Sequence, residues 1–579
     1  MRGGDAKIFS RRDISRLPAL RWRPDISVLL LVLLGALLCG LVLLPLGWLA
    51  WYSITDANGT PSPANFVRLA TDPTFLGPYL TAVSIAAGVS AGASAAALPL
   101  AWLVARTDLP LRRVIRALVT ASFVTPPFLG AIAWEILAAP NSGILNQWYR
   151  WLFALEADDH LFDIYTAEGL VFVMACYSFP YVFVLAANAL DNIPAELEDA
   201  SAILGATRAA TLRRVTFPMV LPAMLAGALV AFLQALTQFG TPAILALPAG
   251  FHVITTKIWA LFQYPPEPHL AAAAALPLLL LTILLLQGQQ WLVGRRGYAV
   301  IGGKSGAPRL VGLGTWRWPA LGFALAFFAL PILLPYAALI KTALVRTPSE
   351  PLTLDTLTLH NIRFVFLEFS QTQQALWNTV LLGVLAATGC TFLALMVSYI
   401  TTRKLAGHRF LGFLATAPIA IPGIVLGVGL FLSYTRQPLV LYGTLWILLL
   451  AFLTIELPGG YQQLQAAFRG LHPELEEAGR IFGATRLGAL WRIAAPLLRT
   501  SLIATWCFVF IGVIRELSAT IMLTTARTKV VSVIIYDLNE SGDLGAISVL
   551  GITLLLITFA VVGMANRVPV LGGRAPRAG

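Results

Sequence analysis

Residues 196–208 read ELEDASAILGATR, and residues 474–486 read ELEEAGRIFGATR. Glu196, Leu197, Glu198, Ala200, Ile203, Gly205, Ala206, Thr207 and Arg208 each recur 278 residues later. Acids at a helix start, a glycine bend and following arginines suit docking onto another protein rather than bond breaking. Chemistry-bearing residues are otherwise sparse. GGKS at 302–305 matches the end of a phosphate-binding loop, but the first glycine of such a loop would fall at Tyr298, so the stretch reads as a linker. There is no HExxH, no carboxylate pair spaced for a soluble cleft and no Ser-His-Asp set, and the chain reads as a non-enzyme without a cofactor. Cys39, Cys176, Cys390 and Cys507 stand singly in apolar runs, with neither disulfide nor zinc spacing. EADDHLFD (156–163) offers Glu156, Asp158, Asp159, His160 and Asp163. Three readings stand for it: an oxygen-rich metal site, a docking patch for an extracytoplasmic protein, or a solvated loop.

The elements that position these residues must be membrane spans. The chain has 579 residues, 58% hydrophobic and 12% charged, whereas soluble domains carry about 25% charged residues. Crossing a bilayer takes about 20 apolar residues as helix. Such runs lie near 27–52, 79–105, 116–139, 168–190, 219–247 and 270–292, then near 316–342, 375–401, 409–433, 438–457, 498–523 and 545–566. Basic clusters at Arg11, Arg12, Arg16, Arg21 and Arg23, at Arg106, Arg112, Arg113 and Arg116, at Arg295, Arg296, Lys304, Arg309 and Arg317, and at Arg403, Lys404 and Arg409 all fall on one side if there are twelve spans. Positive loops stay in the cytoplasm, so both termini are expected there. Much of the net charge of +12 is then topology signal and points to no nucleic acid. The first run is long for a signal peptide and reads as a retained anchor.

The repeat reaches beyond the opening segments. VARTDLPLRRVIRALVTASFVTPP (104–127) corresponds to YITTRKLAGHRFLGFLATAPIAIP (399–422), each leaving a span, crossing a basic loop and heading back toward proline. An even number of spans per copy makes the halves parallel, with a solute route expected between them. The expected organisation is a basic tail (1–26), a first half (27–300), a linker (301–315) and a second half (316–579). Hydropathy alone leaves an ion-coupled secondary carrier open, since that class also has twelve spans in two parallel halves.

The repeated segments, 194–218 and 472–496, lie between the fourth and fifth spans of their halves on the basic side. Pro194 starts a helix, Gly205 bends the chain, and a second short helix exposes Arg208, Arg213 and Arg214 before Pro218 closes it; Pro473, Gly483, Arg486, Arg492 and Pro496 repeat the plan. Asp199-Ala200-Ser201 with Gly205, and Glu477-Ala478-Gly479 with Gly483, resemble the EAA loop of permeases in binding-protein-dependent ABC importers. The resemblance implies an all-α integral membrane protein, about twelve transmembrane helices in two parallel six-helix halves, with the type I ABC importer permease (MetI-like) fold. It also implies two copies of a cytoplasmic ABC ATPase, an extracytoplasmic solute-binding protein and residence in a bacterial inner membrane. The residues it assigns to ATPase coupling are Glu198, Asp199, Ala200, Gly205, Arg208, Glu476, Glu477, Ala478, Gly483 and Arg486.

FGTPAILALPAGFHVITTKIW (239–259) and RELSATIMLTTARTKVVSVIIYDL (515–538) resemble the fused ferric-iron permeases, which implies ferric iron as solute; related permeases move thiamine, phosphonates or sugar phosphates. Gln234 and Gln238 share a helix face, and the repeat sets Gln238 against Glu516 and Thr237 against Arg515. Charged groups in a span face protein or a water-filled route. Gln234, Gln238, Arg515 and Glu516 therefore either line the translocation pathway or, for the two charges, fasten the halves together.

Overall fold

The computed structural model describes residues 26–156, 158–295 and 310–571. The arginines of the basic tail, Arg296, and GGKS lie outside the described residues. The first half contains α1 (Ile26–Ser53), α2 (Pro73–Arg106), α3 (Arg112–Ala121), α4 (Pro127–Ala138), α5 (Ala167–Asp191), α6 (Ala195–Ile203), α7 (Phe217–Thr237) and α8 (Pro268–Arg295). The second contains α9 (Arg317–Phe328), α10 (Leu334–Leu344), α11 (Ser370–Thr402), α12 (His408–Thr416), α13 (Gly423–Tyr434), α14 (Leu445–Arg469), α15 (Glu474–Ile481), α16 (Arg499–Arg515) and α17 (Leu544–Leu571). Helices dominate because lipid offers backbone groups no partners, so each segment must satisfy its own.

Among the described residues nine helices are long and apolar enough to cross a membrane, and twelve spans result when each of three bent pairs counts as one. Three runs expected to be continuous are therefore broken. The chain bends by 99° between Arg112–Val124 and Pro127–Ala138, and by 114° between His408–Ala420 and Gly423–Tyr434. Proline forces the residue before it out of the helical region. Thr125 and Pro126 are accordingly extended ahead of Pro126 and Pro127, and Ile421 ahead of Pro422. The third bend, 81°, separates Arg486–Leu497 from α16.

The leading helices are exchanged between halves. α1 lies along α8 of its own half but also along α13 of the other. A side chain on Gly429 of α13 would come within 2.9 Å of the Pro45 carbonyl oxygen of α1, so the glycine permits the approach. The Tyr434 hydroxyl donates to the Gly40 carbonyl at 3.2 Å. Reciprocally, α10 packs on α4, and the hydroxyls of Tyr336 and Thr125 are 2.6 Å apart.

Candidate functional site

The two repeated segments fold alike, and their shared Gly-Ala-Thr-Arg has a local reason. α6 ends with Leu204 as its cap, followed by Gly205 at φ +79°; α15 ends with Phe482, followed by Gly483 at φ +90°. Glycine alone enters this left-handed region without strain. The Gly205 N–H donates to Ala202 and the Ala206 N–H to Ser201; those of Gly483 and Ala484 donate likewise to Arg480 and Gly479. The threonine then starts the next helix. The Thr207 hydroxyl accepts from the Ala210 N–H at 3.3 Å and that of Thr485 from the Gly488 N–H at 3.0 Å, which is how an N-cap satisfies an orphan donor.

The residues that differ between copies close the hairpin by different means. In the first, the Ser201 and Thr211 hydroxyls are 2.9 Å apart. In the second, Gly479 leaves space that the Ile493 side chain fills, so a Cβ there would lie 2.3 Å from Ile493 Cδ1. One structural difference was not expected. The helix begun at Arg208 runs through a π turn (Leu212–Thr216) into α7, so Pro218 does not close it, whereas the second copy does break, at Leu498.

The tips of both hairpins are apolar. Ile203 and Leu204 are 85% and 87% exposed, and their counterparts Ile481 and Phe482 are 83% and 91% exposed. Adjacent bare hydrophobic side chains on a charged projection are open to contact with another surface. Ala200, Gly205, Glu477, Ala478, Gly483 and Arg486 are exposed beside them and Asp199 is half-buried; the side chain of Arg208 lies outside the described residues. Glu198 and Glu476 depart from the expected docking set because both turn inward. Glu198 pairs with the buried Arg106 and accepts from the Thr216 hydroxyl at 2.9 Å. Glu476, 4% exposed, receives the Arg403 guanidinium at 2.6 Å.

At the fifth spans, Gln238 and Glu516 each cap the end of their helix, α7 and α16. The Gln238 amide donates to the Thr241 hydroxyl at 3.0 Å, and Glu516 Oε1 accepts from the Ala519 N–H at 2.7 Å. Their backbone carbonyls accept from Thr255 (2.9 Å) and Ser532 (3.1 Å). Arg515 donates to the Phe123 carbonyl of the first half. Gln234 stands exposed one turn earlier on α7. Near Arg515 and Glu516 lies Glu456 of α14, close enough to interact electrostatically with both. A side chain on Gly512 would come within 2.2 Å of the Glu456 carboxylate. Sequence reading passed over Glu456, and also Glu135 of α4, whose carboxylate accepts from the Tyr165 hydroxyl at 2.8 Å. A lone acid in an apolar run was the available signal. Of the three readings of the loop 156–163, the metal site has no support, since among the described residues no group of three or more His, Cys, Asp or Glu could hold an ion.

Two similar halves of membrane-spanning helices, each projecting a glycine-bent hairpin with an apolar tip, define a multi-pass transport subunit. The chain belongs to the family described as binding-protein-dependent transport system inner membrane component, which matches residues 97–298 and again 391–568. Among similar proteins, the ferric transport system permease protein FbpB of Actinobacillus pleuropneumoniae is 27% identical over 443 residues, covering 76% of this chain and 63% of that protein. The putative ferric transport system permease protein FbpB 1 of Haemophilus influenzae is 27% identical over 412 residues, 70% of this chain and 64% of the relative. The chain thus spans under two thirds of the length of either ferric relative. The sulfate transport system permease protein CysT of Salmonella typhimurium is 29% identical over 272 residues, 46% of this chain and 91% of that protein. Membership in this family weighs against the secondary-carrier alternative.

Proposed function

We propose that the chain is the permease of an ATP-driven importer that passes ferric iron, delivered by an extracytoplasmic binding protein, across the inner membrane. Two copies of a cytoplasmic ATPase bind it, one on each hairpin, and hydrolysis belongs to them. The halves are 27–300 and 316–579, both termini are cytoplasmic, and the docking surfaces lie within 194–218 and 472–496. Asp199, Ala200, Gly205, Arg208, Glu477, Ala478, Gly483 and Arg486 contribute to docking beside the tips. Gln234, Gln238 and Glu516 border the route, and Arg515 fastens its walls. The observation that carries this reading is the pair of bare tips, Ile203-Leu204 and Ile481-Phe482, presented at matching places by glycines at positive φ. The similarity to two ferric permeases supports the cargo.

The test is capture of partners by the tagged chain from its own membrane, followed by identification of what the captured binding protein retains. Two ATPases per chain and a binding protein loaded with Fe³⁺ are expected, together with ATP-dependent uptake of labelled iron. Capture of the same machinery with a phosphonate or another solute in the binding protein would overturn the cargo alone. Uptake without any ATPase would overturn the whole reading.

A further inference from the structure

Glu198 and Glu476 stand in the hairpins yet face away from the tips, and each meets an arginine at the end of the corresponding helix of its half. Arg106 is the last residue of α2, and Arg403 caps α11. Arg106, 2% exposed, pairs with Glu198 and also donates to the Leu190 carbonyl at the end of α5, at 3.4 Å. Arg403 reaches Glu476 through Nε at 3.2 Å and through its terminal nitrogen at 2.6 Å, and donates to the Leu471 carbonyl beyond α14 at 3.3 Å. The arginines are not in strict register. Leu111 and Gly407, both at positive φ before α3 and α12, mark equivalent points, and Arg403 lies one residue nearer its marker than Arg106 does. Both nevertheless find the glutamate two residues after the start of the repeated acidic run.

These pairs tie each hairpin to the central span of its half alongside other links. In the second half the Tyr399 hydroxyl of α11 donates to the Arg486 carbonyl at 3.4 Å and Phe392 of α11 stacks on Trp491. In the first the hairpin's second helix runs on into α7, which lies along α2. α6 packs chiefly on the short helix and π turn that follow it, and α15 on the corresponding elements of the second copy. α2 and α11 are instead the central spans of their halves, with α2 lying along α5 and α7, and α11 along α14 and α16. A charge-assisted arginine–carboxylate contact of this kind is directional as well as strong. A hairpin pushed at its tip would therefore pull or press on the cytoplasmic end of the span through the ion pair. The linker side adds a stop, since Val311 and Leu313 bond to the backbone and side chain of residues 106–108.

We propose that Arg106–Glu198 and Arg403–Glu476 are the joints through which displacement of each hairpin moves the central span of its half. The four residues are positioning residues for transport, and neither glutamate contacts the ATPase. This rests on the reading of the hairpins as ATPase docking elements.

The experiment uses the whole chain in membrane vesicles with the ATPase that co-purifies with the tagged wild type, and counts ATP hydrolysed per labelled solute taken up. Glu476→Gln and Glu198→Gln should retain the ATPase on purification but raise ATP hydrolysed per solute at least tenfold. The exchanged pair Arg403→Glu/Glu476→Arg should recover part of the wild-type ratio, and Glu476→Asp, which keeps the charge at shorter reach, should fall between. A wild-type ratio in Glu476→Gln, in Glu476→Asp or in both would overturn the inference. So would loss of the ATPase from a glutamine variant, because the glutamate would then belong to the docking surface. Should the wild-type chain retain no ATPase, the docking reading itself fails, and that outcome is distinguishable before any variant is made.

Discussion

Where the halves meet, two glycines decide where charge can sit. In the structure Pro126 and Pro422 each precede the broken span's second part, one residue out of the register in which the sequence sets Pro127 against Pro422, and this makes Pro127 and Gly423 the structural equivalents. The second half combines Gly423 with Glu516 where the first has Pro127 and Gln238, and a Cβ on Gly423 would stand 3.2 Å from Glu516 Oε1. Gly512 similarly admits Glu456 to the face of α16. Gly512→Ala must displace that carboxylate, and overpacking a filled site costs about 1–3 kcal/mol. Thermal unfolding in one detergent should register the loss, and an unchanged midpoint would mean that Glu456 is not held there. The neighbouring charges separate by role. Arg515→Ala leaves the Phe123 carbonyl unpaired, which costs roughly 1–3 kcal/mol when the acceptor is buried. Glu516→Gln keeps an oxygen for the Ala519 N–H and should retain stability while changing uptake. The reverse pattern, a destabilised Glu516→Gln and a stable but inactive Arg515→Ala, would exchange the two roles.

The hairpins show what an element needs from its sequence. A Cβ on Gly205 or Gly483 would meet nothing within 4 Å, so the glycine is required by its backbone angle and not by space. Gly483→Val places a β-branched residue at φ +90°, where strain is of order 1–3 kcal/mol. The expected result is an inserted permease that no longer retains the ATPase, and normal retention with normal uptake would remove the docking assignment. This element was legible in the sequence because its determinants are local: proline at the start, glycine for the bend, and their recurrence at one offset; the threonine caps emerged only with the structure. The twelve apolar runs were legible for the same reason. The breaks at Pro126-Pro127 and Pro422 had their cause in view, but hydropathy averages across a bend without registering it. The Arg106–Glu198 and Arg403–Glu476 pairs were not legible, because each arginine also satisfies the positive-inside pattern and its partner lies far along the chain. Nor could sequence show that Glu198 turns inward while Ile203 and Leu204 turn out, since α6 has no strongly apolar face to fix its rotation.

At the scale of the molecule, exchange of the leading helices has consequences for both transport and assembly. Among the described residues no cluster of acids, histidines or cysteines could serve as a cation cage. The purified chain alone should therefore bind Fe³⁺ only weakly, and tight stoichiometric binding measured by calorimetry would relocate solute choice from the binding protein to the permease. Assembly is the stricter test of the fold. α1 belongs to the first half yet lies against α13, with Pro45 at Gly429 and Gly40 at Tyr434, while α10 belongs to the second and lies against α4. Membrane helices associate through such close packing and interhelical hydrogen bonds, without water to drive them together. A chain cut between residues 300 and 301 and co-expressed as two pieces should therefore reassemble, the tagged second piece retaining the first through purification and restoring uptake. Removing residues 1–53 from the first piece should abolish that retention, because the second half then loses the helix that covers α13. Retention unaffected by the deletion would show that the seam around Phe123 and Arg515 holds the halves together and that the exchanged helices do not.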